Sequence, residues 1–462
     1  MSNRKREKQK RISRSRRIQD IIKQDSKSFR RLGFMKIICA YPVNIDAVWN
    51  IQGEEISQFT QSEPAPNVKN ELKGSIGSRD DLISSLLFCM QQGSGAELLI
   101  ESQAVSRQIE ASFPWQFRLG GNAGIMANFL ATMGARPVLN APALGPRLAG
   151  MLHPDVSIPV SGILKEPRLA AGEPELDKEA MHFVFQFKKG DDVSAQDNRI
   201  IAEGDNRFIA TYDPVNASLK TNANFDAYCL ANAGDFDGAL LSGFHLAPME
   251  HYQEIYPQKI AQIKSWRELN PKIFIHAEMG NFQSPEIMQY LLPLLPVDSL
   301  GLNEDELALA EGSFSSWSYC MQAVKRLRKR LGLFRVAVHT RDYILSVILE
   351  EKITAREELS ALQSGVDAAA ALAATGSAKG EPPQDVNSTG LEARMEFCDN
   401  GATRAGRGAF FNSGDEIICM TPSLLAKKPL ITVGLGDTAT AAIFFQELRA
   451  IDGRKMPASN GI

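Results

Sequence analysis

No apolar run in the chain approaches the roughly 20 residues that a membrane-crossing helix needs. The basic N-terminus also lacks the apolar stretch of a secretory signal, so we expect no leader and no membrane contact. Cysteine is scarce: Cys39, Cys89, Cys229, Cys320, Cys398 and Cys419 are scattered, and no C-x-x-C pair occurs. That leaves no motif for a zinc site or a redox dithiol, and predicts reduced, buried thiols in a cytoplasmic protein. Neither a G-K-[S/T] P-loop ending nor a G-x-G-x-x-G fingerprint occurs, so neither a Walker nucleotide site nor a Rossmann dinucleotide site is indicated. There is no internal repeat. With 44% hydrophobic and 23% charged residues, disorder, collagen and a disulfide scaffold are poor readings. What is there is 462 residues, enough for two domains or for one domain with a lid.

The net charge of -3 hides an asymmetry. Residues 1–31 carry thirteen Lys/Arg against three acids, which leaves a mildly acidic remainder. An acidic body speaks against a general nucleic-acid binder. The basic arm reads as a solvated helix or a solubility tail; contact with RNA through residues 1–31 is the minority reading.

Beyond the arm, short apolar runs alternate with helical patterns. Expected strands are 36–41, 98–101, 137–140, 182–187, 208–212, 239–242, 272–276, 334–339 and 430–433. Several are apolar throughout, as strands buried on both faces are. Expected helices include 123–133, 249–267, 304–310, 316–331 and 438–448. The alternation predicts an α/β fold with a mostly parallel sheet. From about 165 to 212 the strands are more polar and no long helix intervenes. There, His182-Phe-Val-Phe-Gln-Phe-Lys188 alternates in part, like a half-exposed strand of a smaller sheet and candidate lid. The stretch 375–391 is rich in Gly, Pro, Ser and Asn and reads as a surface loop.

The strongest single feature is Leu430-Ile-Thr-Val-Gly434-Leu-Gly436-Asp437-Thr-Ala, read as a strand, a Gly-x-Gly turn and a helix that begins near Asp437. Glycines there free backbone N–H groups, which at a helix N-terminus make an anion site, and an aspartate there can accept a proton from a hydroxyl. The same residues also read as a plain N-cap. In Ile273-Phe-Ile-His276-Ala-Glu278 a strand ends in His-x-Glu. In Asn303-Glu-Asp-Glu306 a helix opens either on a capping box or on a carboxylate for magnesium, which prefers oxygen ligands and keeps its waters. Upstream, Leu119-Gly120-Gly121-Asn122-Ala-Gly124 offers amides suited to a polyol, and Asn44-Ile-Asp46 places two polar groups on one strand face.

In their order these motifs resemble the ADP-dependent glucokinase/phosphofructokinase family, a branch of the ribokinase superfamily. The matches are Asn44-x-Asp46, Gly120-Gly121-Asn122-Ala123-Gly124, Ser242-Gly243-Phe244-His245, His276-x-Glu278, Gly301-Leu302-Asn303-x-x-Glu306, His339-Thr340 and Gly434-x-Gly436-Asp437, and they span nearly the whole chain. The resemblance implies a ribokinase-like large α/β domain (32–55, 105–164 and 213–462) with a smaller, discontinuous β-rich lid (56–104 and 165–212). It implies Asp437 as catalytic base, with Gly434 and Gly436 in an anion hole. Asn44, Asp46, Glu97, Gly121, Asn122 and His182 would hold the sugar. Arg207, His339, Thr340 and Gly436 would lie by the nucleotide, and Glu278, Glu306 and Asp437 would organise magnesium. The donor would be ADP. Glu97 would favour glucose; Lys165, Lys188, Lys189, Arg199 and Arg207 are available for the phosphate of fructose 6-phosphate. A monomer or small homo-oligomer is expected. An ATP-dependent sugar kinase and a catalytically silent sugar binder are the alternatives.

Overall fold

The computed structural model describes residues 34–51, 69–173, 176, 179–195 and 198–453; the basic arm lies outside them. Its centre is a ten-stranded sheet. Six strands are parallel, in the spatial order Arg136–Leu139, Lys36–Ala40, Gly238–Leu241, Phe274–Glu278, Ser299–Asn303 and Arg335–His339. Four antiparallel strands extend it: Tyr343–Leu349, Glu416–Pro422, Gly408–Ser413 and Thr403–Ala405. The sheet is therefore mixed, with its parallel half as expected and an antiparallel wing.

Side-chain alternation assigns the two faces. Along the first strand, Ile37 and Cys39 enter one core and Ile38 and Ala40 the other. The first core holds the helices Asn122–Thr132, Ala355–Thr375 and Leu435–Asp452. The second holds Ala223–Ala231, Tyr252–Leu269, Pro285–Leu291 and Trp317–Leu331. Small residues bring Ala355–Thr375 close to Leu435–Asp452: a Cβ on Gly365 would stand 2.6 Å from Ile443 Cγ1 and 3.0 Å from the Ala439 carbonyl.

A second sheet of five strands runs in the order Ala96–Leu99, Asn206–Tyr212, Met181–Phe187, Asn44–Asn50 and Gln116–Gly120. Two of these strands, Asn44–Asn50 and Gln116–Gly120, come from segments that the expected boundaries gave to the large domain. Strict period-2 alternation explains the difference. In Asn44-Ile-Asp-Ala-Val-Trp49, Ile45, Ala47 and Trp49 turn to one face with Phe183, Phe185 and Phe208. There, Trp49 stacks on Phe113 at 4.7 Å between centroids, and Trp115 meets Phe183 and Phe185 at 5.1 Å each. This aromatic face lies on helices Arg79–Gln92 and Gln103–Ser112, and the opposite face carries polar side chains among Val48, Val184 and Ile209.

Two further expectations need correction. Residues 430–433 form no strand: Leu430 is exposed, and its N–H donates to the Ala373 carbonyl at a helix end rather than to a sheet partner. The following helix starts at Leu435, so Asp437 lies inside its first turn. The loop expected over 375–391 stops at Asn387, where an N-cap opens the helix Ser388–Asp399.

Candidate active site

The parallel strands deliver their chemistry at one edge, the carboxyl ends, where ligands of open α/β sheets bind. Strand Lys36–Ala40 leads into Asn44, Gly238–Leu241 into His245, and the next three strands end on Glu278, Asn303 and His339. Over this edge stands the polar face of the five-stranded sheet. Between them lies a cleft of about 580 Å³. Its walls include Asn44, Asp46, Glu97, Gly121, Asn122, His182, Arg207, Gly434 and Asp437, nine of the residues expected to act.

Register explains why the polar face is polar. Asp46 pairs with Arg118 on one side and with His182 on the other, and His182 pairs with Thr211. These four side chains share one face with Glu97 and Arg207. Asn44 Nδ2 donates to Asp46 Oδ1 at 2.7 Å. Thr211 Oγ1 donates to Glu97 Oε1 at 2.8 Å. His182 is held 3.1 Å from Asp213, which also accepts from the Asn216 amide. Burial would discharge His182, but its hydrogen bond to Asp213 and the charge of Asp46 raise it above the usual histidine range.

Asp437 sits opposite. Gly434, at φ 74, is the N-cap of helix Leu435–Asp452 and provides no side-chain cap, so the first-turn amides lack an intrahelical partner. The Asp437 carboxylate accepts 2.7 Å from Asn122 Nδ2. Burial pushes its carboxyl up to about 6; Asn122 and His339 pull against that, and Glu278 and Asp46 add to it. A group of this kind is ionised at neutral pH yet basic enough to accept a hydroxyl proton.

Behind Asp437 lies a knot of charge. Glu278 accepts from His339 Nε2 at 2.6 Å, from His276 Nε2 at 3.1 Å and from Thr440 Oγ1 at 3.0 Å. Burial alone would raise Glu278, but His339 and His276 hold it down at about 2. Burial would likewise lower His339, yet Glu278, Glu306 and Asp437 lift it to about 9. Glu306 is pushed up to about 7 by burial and by Glu278. Both of its oxygens accept from Asn303, and the Glu306 amide donates back to Asn303 Oδ1 at 2.9 Å, a complete capping box.

Among the described residues, no group of three or more His, Cys, Asp or Glu is spaced to cage a metal ion. Both Glu278 and Glu306 are already engaged. A divalent cation beside this cluster would therefore be held through its waters rather than in a direct protein cage.

The conserved region of ADP-specific phosphofructokinase/glucokinase matches residues 35–446. The chain belongs to that family. An ADP-dependent glucose/glucosamine kinase of Pyrococcus abyssi is 28% identical over 446 residues, covering 89% of this chain and 94% of that protein. An ADP-specific phosphofructokinase of Thermococcus litoralis is 27% identical over 465 residues, covering 90% and 96%. In fold, a hypothetical ADP-dependent phosphofructokinase from Pyrococcus horikoshii OT3 superposes with a TM-score of 0.75 at 22% identity, over 91% of this chain and 99% of that one.

Set beside the expectations for a member of this family, the placements differ in four respects. Asn122 lines the cleft but spends its amide on Asp437. Arg207 lies on the five-stranded sheet near Asp46, not with the strand ends. His339, Thr340, Gly436, Glu278 and Glu306 stand outside the cleft wall. Thr340 holds its own turn through Tyr343, and His339 approaches Gly436, where a Cβ would meet its Cε1 at 3.3 Å. Of the other cations, Lys165 pairs with Glu173 and Arg199 with Asp192. None of Lys165, Lys188, Lys189 and Arg199 lines the cleft.

Sequence reasoning missed Arg118, Asp213, Lys379 and a role for His245. Arg118 had a signal: Gln116-Phe-Arg-Leu119 alternates. Gly120 is also more constrained than a turn glycine, since a Cβ there would stand 2.2 Å from Asp46 Oδ1 and 2.5 Å from Asn44 Nδ2. We expect Gly120→Ala to displace both side chains and raise the sugar KM by roughly tenfold or more, with the ADP KM little changed; steady-state kinetics with each substrate varied decides it.

Proposed function

We propose that the protein is an ADP-dependent sugar kinase. It transfers the β-phosphoryl group of ADP to glucose, to fructose 6-phosphate, or to both, and releases AMP. The observation that carries this reading is Asp437, a half-buried carboxylate in the first turn of a helix with no side-chain cap, lining one cleft with Asn44, Asp46, Glu97 and His182.

The sugar lies between the polar face and the Gly120–Gly124 turn, where Asn44, Asp46, Glu97 and His182 take its hydroxyls. Asp437 accepts the proton of the attacking hydroxyl. The sugar oxygen bonds to the β-phosphorus, the bond from that phosphorus to the bridging oxygen breaks, and AMP leaves with its electron pair. The first-turn amides of helix Leu435–Asp452 face the charge on the transferring group. The rim formed by Gly376, Ser377, Lys379, Ile431 and Val433 lines the same cleft, far along the chain from the five-stranded sheet's residues, and is our choice for the seat of the nucleotide. Magnesium, held through its waters by Glu278 and Glu306, would offset the charge of the diphosphate. Positioning and fixed dipoles supply most of the acceleration.

Relatives that act on the two acceptors are similar to this chain at 28% and 27% identity, so resemblance does not separate them. The side chains do. Glu97 suits an uncharged hydroxyl, while Arg207 and Arg118 on the same face suit a sugar phosphate. Both kinds are present, which favours dual use. Glu97→Ala should cost roughly 10- to 100-fold in kcat/KM for glucose and little for fructose 6-phosphate, with the reverse for Arg207→Ala. Assays with the two sugars offered separately check this. Equal losses on both sugars in both variants would contradict the division.

A further inference from the structure

His245 has no part in the mechanism above, yet it opens on the same cleft. It follows strand Gly238–Leu241, in a single turn of 3-10 helix after Gly243, whose φ of 85 lets the chain turn tightly over Pro42. One edge of the imidazole is pressed against the backbone of Gly280: a Cβ there would stand 2.0 Å from His245 Nδ1, 2.4 Å from Cε1 and 2.6 Å from Cγ. Phe282 closes an edge-on contact at 6.3 Å between centroids.

The Nδ1 atom is buried and has no hydrogen-bond partner among the described residues. That atom lies on the Gly280 side, out of reach of the cleft, and shows how closely this edge of the ring is packed; the edge open to a ligand is the opposite one. The ring as a whole is half-buried, and its free edge is the one away from Gly280. Turning the ring by 180° would exchange Nδ1 for Cδ2. In either setting, one ring nitrogen looks away from Gly280 and towards the cleft.

We propose that His245 is a specificity residue for the acceptor, binding one uncharged hydroxyl of the sugar from the large-domain side of the cleft, opposite Glu97. This rests on the sugar-kinase reading and adds to it a contact from the floor to those from the five-stranded sheet.

The chemistry fits a hydroxyl better than a phosphate. Burial brings the imidazole down to about 4, and Glu97 across the cleft only partly opposes this, so the ring is neutral at physiological pH. A neutral imidazole carries one donor and one acceptor, the complement of a hydroxyl. It offers no charge to a phosphate. The pairing with Glu97 would clamp the sugar between a carboxylate that accepts and one imidazole nitrogen that donates or accepts according to its tautomer. Such a site rejects an analogue that lacks the hydroxyl, because its polar atoms are then left unpaired.

The test uses the full-length protein, magnesium, ADP and whichever sugar the wild-type enzyme converts, together with the monodeoxy analogues of that sugar, reading AMP release. Wild type should penalise the analogue that lacks one particular hydroxyl by about tenfold or more in kcat/KM. In His245→Ala that one penalty should shrink to about twofold, the penalties for the other analogues should persist, and the ADP KM should hold. His245→Gln, which keeps a donor and an acceptor, should restore most of the discrimination. Gly280→Ala, which drives the ring out without removing it, should behave like His245→Ala. If His245→Ala lowers activity equally on every analogue, or changes nothing, the inference fails while the kinase reading stands. If wild-type protein releases no AMP with either sugar, both fall.

Discussion

Replacing Asp437 by asparagine is expected to lower turnover by at least ~100-fold while leaving the fold and sugar binding in place, the range for loss of a general base. The variant keeps the shape of the side chain, and its amide can still meet Asn122, so the helix start and the cleft survive. What it loses is the lone pair that takes the hydroxyl proton. In wild type that lone pair is available only when the carboxyl is ionised. With the group raised to about 6, kcat/KM should climb with pH through that value and then flatten. The stability effect has the opposite sign. A carboxyl whose folded value is raised from 3.8 adds to stability while protonated, and that contribution is lost as pH rises through about 6. Above that pH the buried charge weighs against the fold, so Asp437→Asn should melt no lower than wild type at pH 7. A variant that is both inactive and markedly less stable would point to a structural role for Asp437.

Arg335→Ala is expected to produce the largest loss of stability, about 3–5 kcal/mol, the usual cost of orphaning a buried charge. Arg335, Glu358 and Glu447 are 1%, 0% and 1% exposed, so water cannot replace the lost partner. Arg335 Nε stands 2.9 Å from Glu358 Oε1 and 2.5 Å from Glu447 Oε1. Burial pushes Glu447 up to about 8; Arg335 pulls it down and Glu358 pushes it further up. At neutral pH the guanidinium therefore faces a Glu447 carboxyl that burial keeps largely protonated. Because the folded value lies above the usual 4.5, this contribution is complete below 4.5 and is lost as pH rises through about 8. The melting temperature of wild type should accordingly fall over that window relative to Glu447→Gln. Replacing all three residues by apolar ones of similar volume should recover most of what Arg335→Ala loses, since removing a buried pair costs far less than breaking it.

The triad also reaches the site. Arg335 Nη1 donates to Ser299 Oγ at 3.2 Å, and Ser299 Oγ lies 2.8 Å from His276 Nδ1, whose other nitrogen meets Glu278. Loss of Arg335 should therefore loosen the Glu278–His339 pair beside Asp437.

The parallel half of the large sheet was legible because its strands are buried on both faces and so read as unbroken apolar runs. The motifs at their ends were legible for the same reason: each is local, and the topology alone brings them to one edge. The antiparallel wing was not. Tyr343–Leu349 and Glu416–Pro422 are apolar runs of the same kind, but each follows its preceding strand through a short turn with no helix to frame it. Helix Ala355–Thr375 carried a readable start in Thr354-x-x-Glu357, a capping box, and was overlooked. Residues 430–433 misled because a β-branched apolar run has no way of announcing that no strand lies beside it. The five-stranded sheet shows the limit most clearly. Asn44 and Asp46 were seen as a polar pair on one face, but Trp49 on the other face was the clue that the strand had an aromatic core of its own. Asn122 could be assigned to the cleft from its glycines, whereas its bond to Asp437 joins residues 315 positions apart and has no trace in local spacing.

The central claim is that this cleft moves the β-phosphoryl of ADP to a sugar. The most direct measurement follows ADP labelled at the β-phosphorus, with magnesium and with glucose or fructose 6-phosphate in separate reactions. The expected result is label in the sugar product, one AMP formed per sugar phosphorylated, and neither in Asp437→Asn. Label that stays in ADP in folded wild-type protein with both sugars, or that appears only as free phosphate, would contradict the claim.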